Sequence, residues 1–267
     1  MMGLLALWGA SALFMAGVMS VAWLVQRRTG QGGWADAFWS YGLAVAGIGV
    51  ALYPLAGATP TARQIIVATL IGLWGLRLGS HIAARAAHEA EDARYARLRS
   101  EWGKDYPAKM YGFLILQAGA AAFLVLSVLL AARNPSQGFG VQDVIATLVF
   151  VIALGGEAAS DRQLARYKAK PAPKPPVCDT GLWAWSRHPN YFFEWLGWCA
   201  WPLFAISFNP AWPWGWLALT APVYIYWLLN HVSGVPLLEQ HMQRTRPNAF
   251  AEYSARTSRF FLRPPRA

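Results

Sequence analysis

The chain has 267 residues, of which 56% are hydrophobic and only 13% charged, and its formal net charge is +10. So small a charged fraction, against roughly 25% in an ordinary globular chain, excludes a soluble domain. No GxGxxG follows a strand pattern and no GxxxxGK[ST] occurs, which excludes a soluble nucleotide-binding fold; Cys178 and Cys199 form no CxxC pair and the histidines no HExxH, so neither a disulfide framework nor a metal site is expected.

Apolar stretches of about 20 residues can cross a bilayer as helices. The chain offers seven: Gly3–Val25, Ala37–Ala56, Gln64–Ala84, Met110–Ala131, Gln142–Ala159, Tyr191–Phe208 and Trp214–Leu229. The first exceeds a signal-peptide core and lacks a basic leader, so it reads as a retained helix. In the third, Arg77 and His81 interrupt the apolar run. Many of the fifteen tryptophans lie at the ends of these stretches, the depth at which an apolar ring can keep its N–H wet. Only KAKPAPKPPV, Lys168–Val177, reads as an irregular linker, because proline removes backbone donors. The expected fold is all-α: one polytopic membrane domain over residues 1–267 with about seven spans.

Charge sets the orientation. With the N-terminus outside and the C-terminus cytoplasmic, 21 of the 23 lysines and arginines fall on the inner side, and only Arg63 and Arg133 fall outside. That is the asymmetry of the positive-inside rule. The net charge therefore reads as topology and attraction to anionic membrane lipid rather than nucleic-acid binding.

Acidic and amide residues mix with the inner arginines in three places. After the third span, Arg77, His81, Arg85 and His88 fall on one helical face, followed by Glu89, Glu91, Asp92, Arg94 and Tyr95. Glu89, Glu91, Arg97 and Arg99 read as a solvated turn; Arg77, Arg85, Asp92, Arg94 and Tyr95 read equally well as a site. At the end of the fifth span, Glu157 and Asp161 stand at i and i+4, with Arg162, Gln163 and Arg166 beyond. Like charges at that spacing need an offsetting partner. The third place is GLWAWSRHPNYFFEW. Pro189 suits the first residue of a helix, and Arg187 and His188 beside its free N–H groups make an anion site. Arg187, Tyr191, Glu194 and Trp198 then share one stripe. Glu194 sits about a turn into the membrane and needs donors from an arginine or a ligand.

SRHPNYFFEWLGW resembles the C-terminal signature of the steroid 5-alpha-reductase superfamily, whose bacterial form commonly reads SRHPNYFGE. LWGLRLGSHIAAR…EDARYARLR, ASDRQLARYK and SGVPLLE resemble segments of an uncharacterised bacterial branch of that family, so the resemblance covers about residues 34–263. It implies a seven-helix membrane reductase of the bacterial inner membrane, with its site on the cytoplasmic side. Such an enzyme uses NADPH to saturate a C=C bond conjugated to a carbonyl in a lipophilic substrate, and no obligate protein partner is implied. By motif, Asn190, Tyr191 and Glu194 would line the nicotinamide end, Asp161 and Gln163 would hold ribose or amide groups, and Arg94, Arg162, Arg166 and Arg187, with His188 beside them, would meet phosphates.

Two departures stand out. Phe193 occupies a position where the family usually has Gly. The family's second-span acid and third-span tyrosine have no counterpart within Ala37–Ala56 or HIAAR. The carbonyl-polarising group is therefore expected to be Tyr95, then Asp92, then His81. The competing reading is an S-adenosylmethionine-dependent membrane methyltransferase, whose kind shares RHPxY at the same helix start; Asn190, Glu194 and the ASDRQ segment match the reductases instead. A transporter or lipid scaffold would concentrate its polar and helix-breaking residues at mid-membrane, whereas here they crowd the inner face.

Overall fold

An apolar chain must satisfy its backbone hydrogen bonds internally, which inside a bilayer only helices and closed barrels can do. The computed structural model describes residues 2–88, 93–136, 138–173 and 176–266; among them there are helices and no strands. In chain order the α-helices are α1 (Met2–Thr29), α2 (Gly33–Leu52), α3 (Ala62–His88), α4 (Ala93–Trp102), α5 (Tyr106–Ala132), α6 (Val141–Lys168), α7 (Leu182–Trp185), α8 (Pro189–Ala205), α9 (Thr220–Trp227), α10 (Val235–Thr245) and α11 (Pro247–Arg256).

Five helical runs are long and apolar enough to cross a membrane: Met2–Thr29, Gly33–Leu52, Ala62–His88, Arg94–Ala132 and Val141–Lys168. These contain the first, third, fourth and fifth expected spans and most of the second, which ends at Leu52 rather than Ala56. The last two differ. α8 has 17 residues with Pro202 inside it, and Pro213–Val232 is built from a 3₁₀ stretch, α9 and a π-helical turn. Neither is one uninterrupted α-helix of spanning length. The many prolines are the physical reason, since each removes a backbone donor and crowds the preceding turn. α6 also runs past the expected end of the fifth span, so ASDRQLARYK is helical.

The chain forms two compact units: the first holds residues up to Asp143 together with Phe204–Ala218, the second Val144–Leu203 and the chain from Leu219 on. In the first, α2 packs against α1, α3 and α5. Gly75 of α3 permits a close approach, because a Cβ there would lie 2.2 Å from that of Ala44 on α2. Small residues at such crossings are how membrane helices gain contact without a hydrophobic driving force between them. Leu13 and Phe14 on α1 and Leu116 on α5 are exposed apolar side chains, a surface suited to lipid.

Both arginines expected on the outer side are tied down within this unit. Arg63 is buried and makes a bidentate pair with Asp143, with Nε–Oδ1 at 2.6 Å and Nη2–Oδ2 at 2.9 Å. It also donates to the carbonyls of Asn134, Ser136 and Gly138. Arg133 donates to the carbonyls of Val50 and Tyr53 at the end of α2, where helix carbonyls lack intrahelical partners.

Candidate functional site

In the second unit the site is built on α6, α8 and the turn between α7 and α8. Glu157 and Ser160 are buried on α6, and Asp161 stands beside them. Asn190, in the first turn of α8, donates from Nδ2 to Asp161 Oδ1 at 3.3 Å. The ASDRQ and RHPNY segments, 29 residues apart, therefore meet through these two side chains. Gln163 accepts from the Leu182 amide at 2.9 Å and so holds the start of α7. The Trp183 indole N–H donates to the Ser160 carbonyl at 3.0 Å. Arg162 and Arg166, one turn apart on α6, are exposed.

Glu194 and Trp198 do share a stripe on α8. The indole N–H of Trp198 donates to Glu194 Oε1 at 2.8 Å. Arg187, although on the same stripe, is not the arginine that supplies donors to Glu194, because it turns elsewhere. Its Nε donates to Glu239 Oε1 at 2.8 Å and its Nη1 to the carbonyls of Ser254 and Thr257 at 3.2 and 2.9 Å. Arg187 is thus committed to α10 and the end of α11. His188 is buried, with Nε2 3.3 Å from the same Glu239 oxygen, and its ring stacks on Tyr191 at 5.8 Å and 10°. Arg259 approaches the other Glu239 oxygen at 3.5 Å.

The electrostatics of this clasp follow from its partners. Burial works against the Glu239 carboxylate, but hydrogen bonds from His188 and Arg187 and the Arg187 charge outweigh it and hold its pKa at about 2. Burial lowers the pKa of His188, against the opposing pull of Glu239. A carboxylate can only accept a hydrogen bond, so the His188 proton resides on Nε2.

The tail completes the turn. Arg187 N donates to Ser258 O at 2.8 Å, Arg263 N to Trp185 O at 3.0 Å, and Ser186 Oγ to Phe260 O at 2.8 Å. Phe260 and Phe261 pack with Phe192, Trp195 and Tyr226 in one aromatic cluster. The unusual Phe193 has its own explanation. Its buried ring fills the space beside Gly156 of α6, where a Cβ would lie 2.3 Å from Cε1. The missing side chain is supplied from the opposite helix.

The remaining candidates lie in the first unit. Tyr95 is buried and its hydroxyl donates to Asp36 Oδ1 at 2.8 Å, while Arg94 Nη2 pairs with Asp36 Oδ2 at 2.7 Å. His81, Arg85 and His88 lie along α3 as expected and are exposed, and Arg77 is half-buried. Asp92, with Glu89, Glu91 and Lys174, lies outside the described residues.

Two acids that organise these groups escape a reading of the sequence. Asp36 stands one residue before the apolar stretch that begins at Ala37. Glu239 lies within SGVPLLE, a motif visible as such, but its partners Arg187 and His188 are 52 and 51 residues away.

An uncharacterised protein of Schizosaccharomyces pombe is 26% identical over 269 residues, which cover 91% of this chain and 76% of the yeast protein. No solved structure matches the chain. The family described as "Protein of unknown function (DUF1295)", which includes steroid 5-alpha-reductase-like proteins, matches residues 22–257. With nearly its whole length matched, the chain belongs to the DUF1295 family.

Proposed function

We propose that the protein is a membrane-embedded, NADPH-dependent reductase that saturates a C=C bond conjugated to a carbonyl in a lipid-like substrate. The observation that carries this reading is the Asp161–Asn190 contact, which joins the two motif-bearing helices within one unit. The residues around it fit a nucleotide. Asp161 and Glu194 offer acceptors for ribose hydroxyls and for the N–H groups of a carboxamide, Asn190 offers both donor and acceptor, and Arg162 and Arg166 are exposed cations suited to phosphate. Arg187 drops out of the phosphate set because Glu239 already neutralises it.

When bound, NADPH supplies a hydride to the carbon β to the carbonyl. Negative charge then develops on the carbonyl oxygen, where a hydrogen-bond donor is most effective. Tyr95 is the first candidate for that donor, and it must turn its O–H away from Asp36 to serve.

The topology belongs to the same reading. The last two spans are α8 and the composite run Pro213–Val232, the N-terminus is outside, and the site faces the cytoplasmic side of a bacterial inner membrane. The 21-to-2 division of basic residues supports it, as do the partners that tie down both outer arginines.

Titrating detergent-solubilised protein with NADPH and with S-adenosylmethionine tests the reading. NADPH is expected to bind, and to be oxidised when a lipid enone or enal is added. Binding of the methyl donor with none of NADPH would overturn it in favour of a methyltransferase.

A further inference from the structure

SGVPLLE, Ser233–Glu239, takes no part in the reaction proposed above, yet three of its features converge on the RHPNY turn. The backbone leaves α9 through the π-helical turn Leu228–Val232, closed by the Ser233 N–H on the Leu228 carbonyl at 3.0 Å. Such turns are uncommon and often accompany functional sites. Gly234 follows. A Cβ there would lie 2.6 Å from the Leu229 carbonyl oxygen and 3.1 Å from Cε2 of Tyr191. The corner therefore closes on the Tyr191 ring only with a residue that has no side chain. Glu239, a little over a turn into α10, then receives Nε of Arg187 at 2.8 Å and Nε2 of His188 at 3.3 Å on one oxygen, with Arg259 at 3.5 Å on the other.

We propose that Glu239 is a positioning residue of the nucleotide site. It holds Arg187 and the Nε2–H tautomer of His188, and through the His188–Tyr191 stack it fixes the ring of Tyr191 beside Asn190. The inference rests on the nucleotide reading given above. Its physical basis is directional. One carboxylate oxygen accepts from Arg187 and His188 at once while the other faces Arg259, so a single side chain holds three donors. Tyr191 is then trapped between the His188 ring and the Gly234 backbone, so a change of tautomer or tilt at His188 moves Tyr191 directly.

Glu239→Leu keeps the bulk but removes the oxygen that Arg187 and His188 share, so nothing then holds the His188 proton on Nε2. Glu239→Gln keeps one oxygen for both donors and places its NH₂ where the second oxygen met Arg259. Nitrogen-15 spectra of histidine-labelled protein, assigned with a His188→Gln control, read the tautomer without any nucleotide. The expected result is Nε2–H in the wild type and in E239Q and a shift to Nδ1–H in E239L, with NADPH affinity reduced at least tenfold in E239L. Glu239→Asp, which keeps the charge, should retain the Nε2–H tautomer and lose less than threefold.

An Nδ1–H tautomer in the wild type overturns the inference, whether or not E239L folds. An unchanged tautomer in E239L, or a switched one with affinity within twofold of wild type, overturns it too and leaves the reductase reading intact. A wild-type protein that binds no NADPH removes the reading on which the inference rests, a failure distinct from those seen in the tautomer spectra.

Discussion

Gly156 and Phe193 face each other across α6 and α8, and their packing yields a quantitative test. A methyl group on Gly156 would lie 2.3 Å from Cε1 of Phe193 and 2.5 Å from Cδ1 and Cζ. Carbon atoms pack at about 3.5–4.0 Å, so the ring must retreat by more than an ångström. It has little room, being buried and in edge contact with Phe192 at 5.3 Å. Overpacking of this kind costs about 1–3 kcal/mol. Replacing a helical Gly by Ala returns about 1 kcal/mol. Gly156→Ala should therefore destabilise by up to about 2 kcal/mol. Phe193→Ala alone should cost about 3–5 kcal/mol through the cavity it leaves. In the Phe193→Ala background the new methyl enters free space, and Gly156→Ala should become stabilising. The coupling between the two sites is then roughly 1–3 kcal/mol. Reversible unfolding of all four proteins in mixed micelles measures it. If Gly156→Ala has the same effect in both backgrounds within about 0.5 kcal/mol, the limit for independent sites, the two residues do not compete for one space and the packing argument is refuted.

Glu194→Gln retains an oxygen that can accept from Trp198, so melting should change little, while NADPH affinity should fall by about 1.5–3 kcal/mol, the scale of one hydrogen bond to a charged group; titration and a melting curve on one preparation check both. Tyr95→Phe should leave NADPH affinity unchanged and abolish NADPH oxidation by a lipid enone; turnover at the wild-type rate removes Tyr95 as the carbonyl donor. Asp143→Asn breaks a pair whose side chains are only 8% and 3% exposed, and should destabilise by about 3–5 kcal/mol, the usual cost of stranding one buried charge, as read by unfolding in mixed micelles. Reporter fusions at Gly138 and at the C-terminus should report opposite sides of the membrane; the same side for both would reject the seven-span topology.

The resemblance that motivates the reductase reading rests on local motifs, and the geometry redistributes their roles. Arg187 stands in the most specific of those motifs and beside a helix start, which together suggest a phosphate ligand. The structure pairs it with Glu239 and two carbonyls instead. Arg162 and Arg166, less conspicuous in sequence, are the cations left exposed beside Asp161. Tyr95 stays a catalytic candidate, but it now has a partner, Asp36, that could compete for its proton.

The sequence by itself determined where the long apolar helices lie. Apolar runs of spanning length force helices because the bilayer offers the backbone no other partner, and the division of basic residues among the loops, which sets the orientation proposed above, is read without reference to any neighbour. The RHPNY helix start was legible for the same reason, since a proline at a first turn acts through its own backbone. The tertiary structure alone decided which polar groups meet. Asp161 with Asn190, Tyr95 with Asp36, Arg187 and His188 with Glu239, and Phe193 with Gly156 are pairs 29 to 59 residues apart, and neither periodicity nor composition carries information across such distances. It also decided that the two final apolar stretches are a short helix and a composite run, neither of them one uninterrupted helix of spanning length. That outcome depends on how prolines and a π-helical turn are accommodated by packing, not on the hydropathy that made both stretches look continuous.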